Sequence, residues 1–553
     1  MITSNTPASL KLKENKKYLI AFFLMLIAAF IQCYKTIHDL HWANEPDFDR
    51  DIAYIRSTLD GHYGQDPNMT GQYMWYNPML FLLETLVVKV TGLPINIVVA
   101  RAGAFINIIS PIAFFFMVVK LFDYKVALPA LLCFFFLVNG NLPCWGGATY
   151  SPWLLSDTFS QFTFYITLYF AYRAFTTQQL FWFIIFGASL GITFLGHSAP
   201  VFIIILIMIC IQGRKVVESF WTKDYSAVGR YFLQGLYAVV PFIIFAFPFL
   251  YYVYGKYHLH FINHQILECA PGIFARRYTL DLLKQNVTFS LIISVTGMVW
   301  FYKKFNQPLL KKMVWHWFFI CLGMYIYESA VPTLDHMLHI TLPDTIPAFH
   351  YFFYLKALQS IFFGFGFIFL LTWLVGRLKG LKEGNPKLKL SDTLVVVCVL
   401  LYALVYYPVY SARYDFTELR AQAVEKAKQS DKIAVYDFIS KNIPLDHVLL
   451  CEHGLSLFPV MPTAIKMVSI ETFFSNPYVS YEERENDRDT MLVRLTSAKP
   501  ATDPKLFTKY NVSNVLLADS DFVRYKQPVF ATSKVIYKNS SYAILSFATN
   551  KKY

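Results

Sequence analysis

The chain has 553 residues, of which 56% are hydrophobic, 18% aromatic and only 15% charged, with a formal net charge of +13. Soluble domains carry about 25% charged residues; the low charge here, a mean hydropathy of +0.41 and several runs of the ~20 apolar residues that cross a bilayer exclude a soluble globular protein. The Lys and Arg residues fall in short clusters beside the apolar runs, where they set orientation, so the positive balance does not mark a nucleic-acid surface.

In chain order, the first span is expected at 18–35, behind Lys11, Lys13, Lys16 and Lys17. No small-residue cleavage site closes it, so it reads as a retained helix rather than a removed signal. Further spans are expected at 96–121, 126–142, 157–176, 179–196, 199–212, 231–252, 287–303, 313–331, 349–375 and 392–410, about eleven crossings by the length rule. The apolar segment 78–92 is shorter and reads as a surface helix. With the N-terminus cytoplasmic, the short inside loops carry Arg214, Lys215, Lys223, Arg230, Lys311, Lys312, Arg377, Lys379, Lys382, Lys387 and Lys389, which satisfies the positive-inside rule. The outer loops 36–95, 143–156, 253–286 and 332–348 are rich in His, Asp, Pro and Trp.

Residues 411–553 change character. Helical spacing runs from Glu418 to Asn442, and Val448–Cys451 and Asn514–Ala518 are short apolar runs bounded by polar residues, as strands are. Residues 535–545 predict a hairpin turning at Asn539-Ser540. The expected architecture is a polytopic α-helical membrane domain over 1–410, with a first outer loop at 36–95, followed by an extracytoplasmic α/β domain over 411–553. The eight cysteines form no CxxC or Cys/His spacing, so neither a zinc site nor a disulfide framework is expected.

The densest chemistry follows the first span: Asn44-Glu-Pro-Asp-Phe-Asp-Arg-Asp51 places Glu45, Asp47, Asp49 and Asp51 together. An amphipathic stretch 52–59 follows, then Gly61 as a helix stop, Gly64-Gln-Asp-Pro67 and the aromatic run Tyr73-Met-Trp-Tyr-Asn-Pro78. As plain structure, the acids form a solvated loop that caps a helix starting near Asp51.

The pattern of acid, short helix, glycine and polar entry to an apolar helix resembles the first outer loop of GT-C glycosyltransferases, multi-spanning enzymes that use polyprenyl-phosphate sugars. The resemblance implies that Asp47 contacts the acceptor hydroxyl as general base, since that hydroxyl must lose a proton as the new bond forms. Asp49 or Asp51 could take the same role, orient Asp47, bind a divalent cation, or raise its pKa by like-charge repulsion. No other cofactor is implied.

A leaving lipid phosphate needs cations, and Arg offers it a planar fork of donors. The outer loop 253–286 supplies His264, Arg276 and Arg277, the Arg pair being an exception to the positive-inside rule. Lys356 lies inside a span, where a charge is costly and usually functional or paired, with Glu328 as a candidate partner. In the last domain, Asn476, Pro477, Tyr481 and Arg484 make the segment similar to one in cell-wall galactan arabinofuranosyltransferases; the resemblance implies acceptor contacts there and arabinofuranose among the candidate sugars. As plain structure, Ser475 or Asn476 caps a helix.

These observations lead to an inverting transferase of the plasma (inner) membrane, moving a sugar from a polyprenyl-phosphate donor to a cell-envelope glycan acceptor, with membrane lipids and no nucleic acid as further partners. A transporter or flippase of a lipid-linked glycan would place charges at mid-membrane, often between internal repeats. A non-catalytic assembly or sensor protein would not need the first-loop acids.

Overall fold

The computed structural model describes residues 8–44, 46–137, 149–263, 284, 287–339, 346, 348–379, 390–413, 417–496, 505–524 and 533–547. The chain divides into two compact units, one of 1–38, 102–246 and 272–417, the other of 39–101, 247–271 and 418–553.

The first unit is helical. Among the described residues, seven helices are long and apolar enough to cross a membrane: Asn15–Ile37, Gly103–Leu121, Ser198–Trp221, Tyr225–Lys256, Pro308–Tyr327, Phe349–Leu378 and Asp392–Ala412. Tyr124–Leu137 and Leu180–Gly196 are shorter apolar helices. This is a multi-pass membrane protein. Phenylalanines fill the helix contacts, as in the stacked pairs Phe22–Phe115, with centroids 4.4 Å apart, and Phe114–Phe134, 4.2 Å apart. Two helices come closer than side chains permit. A Cβ on Gly297 would collide with the Phe362 carbonyl, and one on Gly366 with the Ile293 carbonyl, the small-residue contact by which helices pack without a hydrophobic force between them.

The expected span 96–121 is broken. Helix α1 covers Ala8–Ile37, α2 Pro46–Leu59, α3 Met79–Thr91 and α4 Ile95–Arg101; α3 and α4 meet at a bend of 118°. Gly92, at φ +68°, ends α3 in the left-handed conformation. Arg101 Nε donates to the Leu40 carbonyl at 2.6 Å and Asn96 Nδ2 to the His41 carbonyl at 2.8 Å. These polar bonds hold α4 in the second unit, and the apolar span begins at Gly103 instead.

The second unit is built on a five-stranded sheet of order β2-β1-β3-β5-β4. Strands β1 (Val448–Leu450), β2 (Lys466–Met467) and β3 (Val512–Ala518) run parallel; β4 (Ser533–Lys538) and β5 (Tyr542–Phe547) form the expected antiparallel hairpin, whose β5 pairs antiparallel with β3. Central strand β3 is buried along nearly its whole length, so both sheet faces are covered. One face packs Leu449, Met467, Leu516 and Ile544 with Ala53 and Met69 of the first loop; the other packs Leu450, Val515 and Leu545 with Met491 and Phe507.

Residues 65–69 join this domain through buried polar bonds. Met467 N donates to the Asn68 carbonyl at 2.7 Å, and Lys466 Nζ to the carbonyls of Asp66 at 2.6 Å and Pro67 at 3.1 Å. Asp66 Oδ1 accepts from the backbone of Asn68 and Met69, and its Oδ2 accepts from Asn476 Nδ2 at 2.9 Å. Gly64, at φ +90°, makes the turn into this segment, and a Cβ there would run into the Tyr252 hydroxyl.

Asn476→Ala removes a buried donor from Asp66, and such a loss costs about 1–3 kcal/mol. The purified variant is therefore expected to melt earlier than wild type in detergent; an unchanged Tm would contradict a structural role for Asn476.

Candidate functional site

Helix α2 starts five residues earlier than the capping of Asp51 would require. Pro46 stands at its first position, where its missing N–H and fixed φ suit a helix start, and Asp47 and Asp49 lie in the first turn, where the helix dipole favours negative charge. Each residue turns the helix by about 100°, so the three aspartates that look equivalent in sequence are sent to different surroundings.

Asp49 is buried. Both its oxygens accept from Lys426 Nζ, at 2.7 and 2.8 Å. Burial pushes the Asp49 carboxyl upward, and the Lys426 charge opposes that. Lys426, itself buried, lies 4.8 Å from the Phe458 ring centroid. Asp51 is buried too; its Oδ1 accepts from Arg50 Nε at 3.1 Å and Nη2 at 3.0 Å. Burial, opposed by Arg50, pushes Asp51 up to about 6. The Arg50 guanidinium lies 3.6 Å from the Tyr76 ring centroid, and its Nη1 donates to Asp47 Oδ1 at 2.5 Å. Asp47 alone of the three keeps its side chain in water, at 28% exposure against 1% for Asp51 and 3% for Asp49. Glu45 lies outside the described residues.

A further acid near this run carries no local signal in the sequence. Glu84 of α3 is fully buried, and among the described residues neither of its carboxyl oxygens finds a hydrogen-bond partner, nor does the buried Asp51 Oδ2. Asp66, Lys426 and Lys466 were equally hidden, because their partners are hundreds of residues away in sequence.

Of the candidate cation ligands, Asp49 is thus engaged by Lys426 through both oxygens, and Asp51 by Arg50 through Oδ1 alone. Among the described residues, no group of three or more His, Cys, Asp or Glu side chains is arranged to hold a metal ion.

The other candidates are dispersed. His264, Arg276 and Arg277 lie outside the described residues, as does the side chain of Glu328. Lys356 is buried in the helix Ala348–Leu378, with Nζ 4.9 Å from the Phe352 ring centroid. Asn476 is fully buried, and its Nδ2 also donates to the Tyr257 hydroxyl at 3.0 Å. It stands ahead of the helix Tyr481–Thr496 rather than capping it. Tyr481 N donates to Asn263 Oδ1, and Arg484 Nη1 to the Val468 carbonyl. Asn476 is wholly engaged in joining segments, and the Tyr481 amide and Arg484 guanidinium contribute to the same work.

No family model matches the chain, and no curated protein does. Solved structures do match. The structure of ArnT from Cupriavidus metallidurans bound to undecaprenyl phosphate is 12% identical, with a TM-score of 0.54 over 95% of this chain and 97% of that one. The chain has the GT-C fold. The Archaeoglobus fulgidus oligosaccharyltransferase tethered with an acceptor peptide is 11% identical, at a TM-score of 0.49 over 92% of this chain and 69% of that one. In this chain, the acid-bearing helix α2 follows the first apolar helix directly.

Lys426→Ala would leave Asp49 as a buried carboxylate without its ion-pair partner, a change that costs about 3–5 kcal/mol. The Tm of this variant is expected to fall steeply, and adding Asp49→Asn is expected to recover much of the loss. Equal melting of wild type and Lys426→Ala would contradict the buried pair.

Proposed function

We propose that the chain is a membrane glycosyltransferase that moves a sugar from a polyprenyl-phosphate donor to a cell-envelope glycan acceptor on the outer face, with inversion at the anomeric carbon. The observation that carries this reading is the sorting of charge on α2: two aspartates are buried in ion pairs, and one carboxylate, Asp47, is left facing water beside an arginine. Support for the lipid donor is the GT-C fold, met in a protein whose structure holds undecaprenyl phosphate.

In the proposed reaction, Arg50 holds Asp47 Oδ1, so Oδ2 is the oxygen offered to the acceptor. Asp47 takes the hydroxyl proton while the acceptor oxygen attacks the anomeric carbon. The bond from that carbon to the phosphate oxygen breaks, and polyprenyl phosphate leaves with the bonding pair. His264, Arg276, Arg277 and Lys356 are the proposed ligands of its phosphate. Asp49 and Asp51 serve to fix α2. Arabinofuranose remains a candidate sugar on the Asn476–Arg484 resemblance. The transmembrane part is assigned to 1–410 and an extracytoplasmic α/β domain to 411–553, with the N-terminus cytoplasmic.

The test is transfer of labelled sugar from a panel of polyprenyl-phosphate sugars, arabinofuranose included, by purified wild type and Asp47→Asn. One donor is expected to be turned over by wild type, at least ~100-fold faster than by the variant, the scale of a lost general base. Binding or flipping of a lipid-linked glycan without transfer would instead support a transporter.

A further inference from the structure

One end of the helical unit gathers cations that no acid balances. The helix Ser198–Met208 widens at Ile209–Gly213 and continues as Arg214–Trp221, none of whose residues is buried. At about 100° per residue, Val216, Val217, Phe220 and Trp221 fall on one face, and Arg214, Lys215, Glu218 and Ser219 on the other. Phe220 is 60% and Trp221 79% exposed. An amphipathic helix whose apolar face meets no protein lies in the membrane interface, with that face among the acyl chains. The nearby acids are already engaged. Glu218 Oε1 accepts from Arg214 Nε at 2.6 Å, and Asp224 Oδ1 accepts from the Ser226 hydroxyl and the Ala227 amide where the next helix, Tyr225–Leu250, begins. Among the described residues, neither Lys215 nor Arg230 has a carboxylate partner.

These two cations converge on one ring. Lys215 Nζ lies 5.9 Å and the Arg230 guanidinium carbon 5.8 Å from the Tyr231 centroid, and Lys215 Nζ lies 5.7 Å from that of Phe175. The helices that carry them are tied together. Gln234, buried one turn beyond Arg230, accepts from Gln212 Nε2 at 3.1 Å, and its own Nε2 donates to Gln178 Oε1 at 3.1 Å. The cations are therefore held in place before anything binds, although they repel each other. An anion between them relieves that repulsion. A free phosphate would leave the apolar face of Arg214–Trp221 uncovered; a phospholipid supplies both the phosphate and the chains.

We propose that this corner binds an anionic phospholipid: Lys215 and Arg230 hold the headgroup phosphate beside Tyr231, and the acyl chains lie along Val217, Phe220 and Trp221. The site does not depend on the proposed reaction. In the proposed orientation it faces the cytoplasmic leaflet, whereas the sugar donor is bound at the outer face.

The experiment is native mass spectrometry of the detergent-purified protein titrated with phosphatidylglycerol or phosphatidylcholine. Wild type is compared with Lys215→Gln/Arg230→Gln and with the charge-keeping exchange Lys215→Arg/Arg230→Lys. Wild type is expected to bind phosphatidylglycerol more tightly than phosphatidylcholine. The Gln pair should bind phosphatidylglycerol roughly 30-fold more weakly, the scale for two cations lost near a bilayer surface, and the exchange should keep most of the affinity. Equal affinity of wild type for the two lipids overturns the proposal. So does undiminished phosphatidylglycerol binding by a Gln pair with the wild-type Tm, or equal loss in the Gln pair and the exchange. Should the Gln pair not fold, salt decides: a wild-type preference for phosphatidylglycerol that weakens as salt rises supports the site, and one that salt does not move overturns it.

Discussion

Everything about the acidic helix follows from the cost of burying charge. Residues Asp49, Arg50 and Asp51 are consecutive in a short helix, and all three are removed from water. A buried charge without a partner is intolerable, and a paired one is tolerable only when its remaining hydrogen bonds are met. Helix α2 therefore needs Lys426, more than 370 residues away in sequence, and needs Tyr76 under the Arg50 guanidinium. The helix is not a free loop carrying acids but a fitted part of the unit that also holds the sheet. Asp47 is the exception, and its position one turn before Asp51 lets a single arginine hold both.

The same constraint explains the 65–69 segment. A loop whose backbone is buried must satisfy every N–H and C=O; here the Asp66 carboxyl accepts from the Asn68 and Met69 amides, Lys466 donates to the Asp66 and Pro67 carbonyls, and Asn476 in turn holds the Asp66 carboxyl. Met467 adds a backbone bond to Asn68. Tyr257 joins the network, donating to the Tyr73 carbonyl at 2.8 Å and accepting from Asn476. Three stretches far apart in the chain are thus held by one set of polar bonds, which gives the Asn-Pro at 476–477 a structural explanation independent of any acceptor.

Much of the fold was legible in the sequence because apolar length and alternation are local signals. The first helix, the strands at Val448 and Val512 and the hairpin at Asn539 are all set by nearby residues. The separation of 78–92 from the helix after it was legible, but the break between Arg101 and Gly103, inside the expected span 96–121, was not: both of its sides are apolar, and Asn96 and Arg101 bond to His41 and Leu40. In the acidic run, residue types pointed to Asp47, Asp49 and Asp51 alike. Separating them required the helical rotation and the location of Lys426, neither of which local spacing reveals. Glu84 reads as an ordinary acid on a surface helix until its burial is seen.

In the proposed mechanism Asp47 reacts and Asp49 supports. The decisive comparison is sugar transfer by Asp47→Asn against that by the double variant Asp49→Asn/Lys426→Met, which removes the buried pair without stranding either charge. The double variant is expected to fold and retain transfer, while Asp47→Asn folds and loses it. Retained transfer by Asp47→Asn, with loss in a folded double variant, would contradict this mechanism and move the reacting carboxylate to Asp49.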